Sequence, residues 1–526
     1  MADEPQRPPR SAVVLPSFLW PAAAVLLYVI FWWPVRMFVA DDTFIHLTYA
    51  KHVRDGHGLV FNLGERVFGT TSPLWSLALG WLGWTRIDLL LLARILSAVL
   101  GALVVLLGAR ALCLLLDDWA ERGWLEPRFG YRAWAIGTLA WGADVWLARW
   151  SASGMESSLG ALLVLAGFVS YQRSRPWGSA PGRPGAWWAV ASLIRPEAAL
   201  LVLLLALRAG IEPGSPLVRA RRVGAALLPA ALLGGAWLAY AAAFYGTVIP
   251  VTLASKASEG TPFIHNLVIQ AQELAADRGI ELIAILLGLP LLLRRLAPSW
   301  REHLVPLGWL IGLPLFYGVT HVLGITRYLM LITPLVAAYG WGAMALLASS
   351  MARRPAPALA SLALVLAGLA SVGVNAFVLA RHVMPQARHF DRIIQETLIP
   401  TARWFRDFTP PQTMVAIAHV GVFGYYSERR ILDLSGLVTT ELTPVLATYQ
   451  YDRVITDLLF PERVRPDYLI DVDNESRRLK TRSPYTDCLD LIDEKPYDYR
   501  SIRTPERGYL TVYRVDWGCV DATPRR

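Results

Sequence analysis

The sequence predicts an α-helical polytopic membrane protein of about eleven transmembrane helices, followed by a C-terminal soluble α/β domain. Three observations carry this. Hydrophobic residues make up 55% of the 526 positions and charged residues only 17%. With a mean hydropathy of +0.40, the chain is too apolar for a soluble domain of this length. Apolar stretches punctuated by short arginine clusters then run to about residue 380, beyond which charged and alternating segments take over. The 21 Trp and 19 Tyr suit many bilayer–water boundaries, where amphipathic rings settle. A net charge of +9 is spread between apolar segments, so it orients spans and predicts no nucleic-acid partner.

The apolar stretches fall at 17–40, 88–116, 131–150, 157–171, 186–194, 196–208, 223–245, 279–293, 303–320, 326–349 and 357–380. The first is longer than a signal-peptide core and lacks a small-residue cleavage pattern before Asp41, so it reads as a retained helix. The pair 186–194 and 196–208 is split by Arg195-Pro196-Glu197, and each half is shorter than the ~20 residues of a perpendicular crossing. Arginine clusters decide the count. They sit at Arg7 and Arg10, at Arg122–Arg132, at Arg173–Arg183, at Arg208–Arg222, at Arg294–Arg301, and at Arg353 with Arg354. All fall on one side only if 186–208 crosses twice, as the positive-inside rule requires. The expected organisation is a transmembrane domain at 1–380, with a cytoplasmic N-terminus and a first outer loop at 41–87. Residues 381–526 form an extracytoplasmic domain.

That tail carries β-like runs such as Met414–Ala418 and Asp467–Ile470 between turn signals. Cys488 and Cys519 are its only cysteines, while Cys113 lies in a span. In an outward domain such a pair can form one disulfide; two separate thiols are the alternative.

The polar motifs collect on the outer side. Asp41-Asp42-Thr43-Phe44-Ile45 follows directly on the first span, at a boundary where adjacent carboxylates need a reason. The loop continues through Gly56-His57-Gly58-Leu59-Val60-Phe61-Asn62 and Gly64-Glu65-Arg66-Val67-Phe68-Gly69-Thr70-Thr71-Ser72-Pro73-Leu74-Trp75. Ser153-Gly154-Met155-Glu156-Ser157, Ile194-Arg195-Pro196-Glu197, Tyr245–Pro250 with Ala254-Ser255-Lys256, and Thr326-Arg327-Tyr328-Leu329 follow in order. In the tail, Gly421–Ser427 and Leu432–Leu437 complete the series.

Together these resemble the polytopic GT-C glycosyltransferases, in particular the mycobacterial terminal β-(1→2)-arabinofuranosyltransferase family. The first loop is the most specific part of a likeness that runs along nearly the whole chain. Two departures touch polar positions expected to face substrate. Thr48 stands where many relatives carry Arg, and Pro250-Val251-Thr252 replaces Pro-Asn-Thr.

The resemblance implies an enzyme of a bacterial inner membrane, with its site on the outer face. The donor would be a polyprenyl-phosphate-linked sugar and the acceptor an envelope glycan or glycolipid. An inverting transfer needs one carboxylate to take the acceptor proton; Asp41 is the expected base and Asp42 the alternative base or its partner. Arg195, Lys256 and Arg327 are placed beside the leaving phosphate, against snorkelling from span ends or a structural Arg195–Glu197 or Arg195–Glu156 pair. Glu156, Glu197 and His46 are expected at the substrate, and Trp75, Tyr49 and Tyr328 either stack on sugar rings or anchor at the interface. No spacing points to a metal, and no cofactor is expected. Rival readings are a polyprenyl-phosphate-hexose transferase, a lipid-linked sugar flippase, or a glycan-binding scaffold. A flippase predicts inverted repeats and mid-span charges; no repeat is clear, and only Arg195 and Glu197 read as charges deep among helices.

Overall fold

The computed structural model of the protein describes residues 18–85, 87–252, 255, 260–352, 357–473, 478–500 and 505–524. Arg7, Arg10, Lys256, Arg353 and Arg354 lie outside the described residues. The chain opens with α1 (Leu19–Trp32), α2 (Asp41–Arg54), α3 (Pro73–Leu82) and α4 (Leu89–Glu121). It continues with α5 (Pro127–Gly142), α6 (Val145–Ala152) and α7 (Ser157–Arg173). The split stretch becomes two helices, α8 (Gly182–Ser192) and α9 (Ala199–Gly210), parted at Arg195. There follow α10 (Pro216–Tyr245), α11 (Phe263–Leu296), α12 (Trp300–Val319), the single turn α13 (Thr326–Leu329) and α14 (Thr333–Ala352). An unbroken helical run, α15, then extends over Pro357–Phe408.

Against the expected eleven spans, four helical runs among the described residues are long and apolar enough to cross a membrane: α4, α10, α14 and α15. The helices α1, α5, α7, α8 and α9 have 17 residues or fewer, and α11 carries charges along its length. Helix ends follow local chemistry. The Asp88 carboxylate accepts from the Leu91 N–H at the start of α4, and Asp144 does the same for Leu147 at the start of α6. Gly246 closes α10 in the left-handed region, φ 73°, where a Cβ would be strained.

Charge runs deeper into the bundle than the sequence suggests. Helix α11 loses helical geometry at Arg278 (φ −116°, ψ 24°). There the guanidinium pairs with Asp144 and Asp277 and lies 4.7 Å over the Trp141 ring, every charged group being buried. Asp277 and Arg278 fall just ahead of the stretch 279–293 and so read as loop positions, whereas Asp144 lies inside the stretch 131–150. Asp144 thus both caps α6 and ties it to α11, fixing the segment that leads into Glu156.

The tail is a small mixed sheet of β1 (Met414–Ile417), β2 (Arg430–Asp433), β3 (Tyr468–Asp473), β4 (Leu489–Arg500) and β5 (Pro505–Val515), ordered β2-β1-β3-β5-β4. Strand β1 runs parallel to β2 and β3, with α16 (Val420–Ser427) crossing between β1 and β2; β3, β5 and β4 pair antiparallel. Because α15 runs on to Phe408, a helix rather than a loose linker joins tail to bundle. Cys488 and Cys519 are bonded across a separation of 31 residues, and Cys113 is free and buried. A loop of that length is worth roughly 3–4 kcal/mol. Cys488→Ser with Cys519→Ser is therefore expected to lower the melting temperature of the tail and speed its proteolysis, while leaving the bundle's melting unchanged.

Candidate functional site

Successive residues of an α-helix point about 100° apart, so Asp41 and Asp42, both in the first turn of α2, face different surroundings. Asp42 faces a cavity of about 340 Å³. It is lined from α2 by Asp42, Ile45 and His46, and from the first loop by Gly69, Thr70 and Thr71. The α6–α7 turn gives Met155 and Glu156, the α8–α9 break gives Arg195, Pro196 and Glu197, and α13 gives Arg327 and Tyr328. Pro250, Thr252, Phe316, Tyr317, Val322 and Leu437 complete the wall. Motifs scattered over the sequence thus meet in one place.

Inside, charges of opposite sign alternate. Arg327 donates from Nη1 to Asp42 Oδ2 at 2.6 Å and from Nη2 to the Tyr328 hydroxyl at 2.9 Å. Arg195 Nη2 pairs with Glu156 Oε1 at 2.8 Å and donates to Ser157 Oγ at 3.2 Å, with Glu197 at 3.9 Å. His46 spans from Ser76 Oγ, 3.3 Å from Nδ1, to Glu156, 3.1 Å from Nε2. The Tyr328 ring lies between the two guanidiniums, 4.8 Å from Arg195 and 4.9 Å from Arg327, and stacks on Tyr317 at 4.9 Å. Tyr317 in turn donates to Glu197 Oε1 at 2.6 Å.

Burial pushes the Glu156 carboxyl up, but Arg195, His46 and Arg327 outweigh it and hold the group well below the usual carboxylate range. Burial works against Arg195 too, yet Glu156 and Glu197 keep it above the ordinary arginine value. The Nε of each arginine is buried without a hydrogen-bond partner among the described residues.

Asp41, the expected base, is not among the residues lining this cavity. Its two carboxylate oxygens accept the Gly421 and Val422 N–H groups at 3.0 and 2.9 Å. These belong to the first turn of α16, so Asp41 caps a helix 380 residues away. Burial raises the Asp41 carboxyl above its ordinary range; His419 and the two amides oppose that rise, and the Asp42 charge adds to it. Phe44 on the same side of α2 packs against Tyr425 and Tyr426 of α16, at 5.8 and 5.6 Å.

The remaining expectations divide. Asp42, His46, Glu156, Arg195, Glu197, Arg327 and Tyr328 are brought together, and Lys256 lies outside the described residues. Trp75 is enclosed in the core at 1% exposure, so its ring face is not open to a ligand. Tyr49 is buried as well, with its hydroxyl close to Gly69. Of the two departures, Pro250 and Thr252 line the cavity, whereas Thr48 turns its hydroxyl back onto the Phe44 carbonyl at 2.8 Å. Tyr317 gives no signal in the sequence, because it sits within the apolar stretch 303–320 and outside every polar motif. Among the described residues no group of three or more His, Cys, Asp or Glu is arranged to hold a metal ion.

Comparison with known proteins places this geometry in context. Residues 389–517 match a domain of unknown function (DUF8728). The chain is 29% identical over 254 residues to the terminal β-(1→2)-arabinofuranosyltransferase of Mycobacterium tuberculosis. That match takes in 44% of this chain and 37% of the relative, little more than a third of its length. Among solved structures, the Archaeoglobus fulgidus oligosaccharyltransferase tethered with an acceptor peptide superposes with TM-score 0.55 at 13% identity, over 95% of this chain and 74% of that one. ArnT from Cupriavidus metallidurans bound to undecaprenyl phosphate gives TM-score 0.53 at 15% identity, over 94% and 97%. The A. fulgidus oligosaccharyltransferase AglB with an inhibitory peptide and a dolichol-phosphate gives 0.55 at 13%, over 86% and 69%. At such identities the likeness shows the fold: this chain resembles the GT-C glycosyltransferases in architecture and the arabinofuranosyltransferase in part of its sequence.

The clamp between α2 and α16 leaves no room for a side chain at Gly421, where a Cβ would stand 2.0 Å from the Asp41 carbonyl oxygen. Gly421→Ala is expected to part the two helices at about 1–3 kcal/mol, and Asp41→Ala to remove the cap at about 1–2 kcal/mol. Both should raise protease sensitivity around residue 420, which limited proteolysis reads directly.

Proposed function

We propose that this protein is a membrane glycosyltransferase that moves a sugar from a polyprenyl-phosphate donor to a glycan or lipid acceptor with inversion, and that Asp42 is its base. The observation that carries this reading is the cavity itself, where one half-exposed carboxylate (34%) stands against two buried arginines. In the proposed step, Asp42 takes the acceptor hydroxyl proton as that oxygen attacks the anomeric carbon. The C–O bond to phosphate breaks on the opposite face, and polyprenyl phosphate leaves with the electron pair. Such a base contributes about 10²–10⁴-fold.

Arg327 serves the leaving phosphate. It lines the cavity and is held there by Asp42 and Tyr328. A bound phosphate therefore competes with Asp42 for the guanidinium, so donor binding weakens the ion pair and frees the base. Arg195, fixed by Glu156, Glu197 and Ser157, shapes the site and adds positive potential. The ligands in the ArnT and AglB structures support a lipid-phosphate donor, and the sequence likeness supports arabinofuranose as the sugar. The arginine distribution supports eleven spans, with the cavity and tail on the extracytoplasmic face of an inner membrane. A hexosyl donor is the second reading, because Pro250-Val251-Thr252 alters the very wall that lines the cavity.

The test is turnover by purified protein in liposomes with polyprenyl-phosphate-arabinofuranose and polyprenyl-phosphate-mannose. Asp42→Asn is expected to lose at least about 10²-fold in kcat with the donor still bound. Asp41→Asn should lose less, and should lose it together with tail docking. Full turnover by Asp42→Asn would remove the assignment. Arg327→Gln is expected to raise the donor KM and lower kcat together, and Arg327→Lys to recover only part, since a point charge replaces a planar fork.

A further inference from the structure

A separate cavity of about 470 Å³ opens where the end of α1 meets α15. One wall is the turn Trp33–Val35 with Arg36, Met37 and Phe38, the chain that leads into Asp41. The other is the part of α15 that carries Met384, Arg388 and Asp391. The cavity shares no lining residue with the one at Asp42. Its α15 wall lies between two π-helical turns, Leu379–Val383 and Ile394–Leu398, a departure from α-helical geometry that often marks a working part of a helix.

The charge in this cavity is positive and unpaired. Neither Arg36 nor Arg388 forms an ion pair among the described residues. Arg36 donates to the Trp33 carbonyl at 2.8 Å and lies 4.1 Å over the Trp33 ring. Behind the wall, Arg94 donates to the Arg36 carbonyl and meets Met37 Sδ at 3.4 Å, and Arg149 lies 4.8 Å over the Phe38 ring. Asp391, the one carboxylate in the lining, acts electrostatically on Arg94 without bridging to it. The two arginines of the wall are left unneutralised. Guanidiniums without a carboxylate suit a phosphate, which they meet through planar forks. Both elements that build the walls also carry exposed apolar stripes. Leu26, Ile30 and Trp33 recur at helical spacing and end in Met37, and Leu362, Leu366 and Leu369 do the same on α15, with Phe377 nearer the cavity. Snorkelling alone sends arginines outward to water; these two line one cavity from opposite walls.

We infer that this cavity binds the phosphate headgroup of an anionic bilayer phospholipid, with the acyl chains along the exposed faces of α1 and α15. The inference is independent of the glycosyl-transfer reading. Such a lipid braces the segment that enters the first turn of α2.

The test titrates delipidated full-length protein in detergent with phosphatidylglycerol, phosphatidylcholine and soluble glycerol 3-phosphate, binding being read by native mass spectrometry. Phosphatidylglycerol is expected to bind most tightly. Arg36→Gln with Arg388→Gln is expected to weaken it at least about tenfold. Arg381→Gln with Arg392→Gln, which alters two exposed arginines of α15 outside the cavity, should leave it unchanged. Wild-type protein with a photoactivatable phosphatidylglycerol gives a readout that needs no substitution, and its crosslinks are expected at 33–38 and 384–391. Equal loss in both arginine pairs would overturn the site, as would wild-type affinity in the cavity variant or crosslinks confined to other segments. Phosphatidylcholine bound as tightly as phosphatidylglycerol would overturn the anionic preference, and glycerol 3-phosphate bound as tightly would replace the lipid by a free phosphate.

Discussion

The structure depends on the first turn of α2, where two neighbouring carboxylates are turned to two different tasks. Helical geometry separates adjacent side chains by about 100°, so one segment can face both a cavity and a docked domain. Asp41 closes the start of α16 through two amide hydrogen bonds, and Asp42 meets Arg327 inside the cavity. The position of the tail is thereby coupled to the position of the carboxylate proposed as base. A loosened tail would shift α2, and a shift of that size at a reacting group is costly.

Around this turn the site is held by charges that compensate one another. Glu156 receives Arg195 on one side and His46 on the other, and Tyr328 lies between two guanidiniums. Removing one member of such a network leaves a buried charge uncompensated, which costs more than the pair is worth. The same logic holds below the site, where Asp144 both caps α6 and binds Arg278. That contact braces the segment ending at Glu156.

Much of this was legible in the sequence, and the rest was not for physical reasons. The motifs Asp41-Asp42, Met155-Glu156, Arg195–Glu197 and Arg327-Tyr328 stood out because charge beside apolar stretches is conspicuous, and the cavity gathers a member of every one. Which aspartate faces it could not be read, since that depends on the rotation of α2 against a helix 380 residues away. Tyr317 sits in an apolar stretch with no polar motif beside it, and Trp75, which read as either a sugar platform or an interface anchor, is enclosed in the core. The Arg278 cluster escaped notice because Asp277 and Arg278 border an apolar stretch, while the pairing of Asp144 with Arg278 joins residues 134 apart in the chain. The sheet in the tail was visible through Met414–Ala418 and Asp467–Ile470, which hold β1 and the start of β3. Its mixed order was not, because strand pairing is a long-range choice.

The central claim is that Arg327 passes from Asp42 to a lipid phosphate, and a cryo-electron microscopy structure with a non-hydrolysable polyprenyl-phosphonate sugar tests it most directly. The account predicts the phosphonate within hydrogen-bond distance of Arg327, the ion pair to Asp42 opened, and the Asp42 carboxylate near the anomeric carbon on the face away from phosphorus. A phosphonate seated elsewhere, with Asp42 and Arg327 still joined at 2.6 Å, would contradict it.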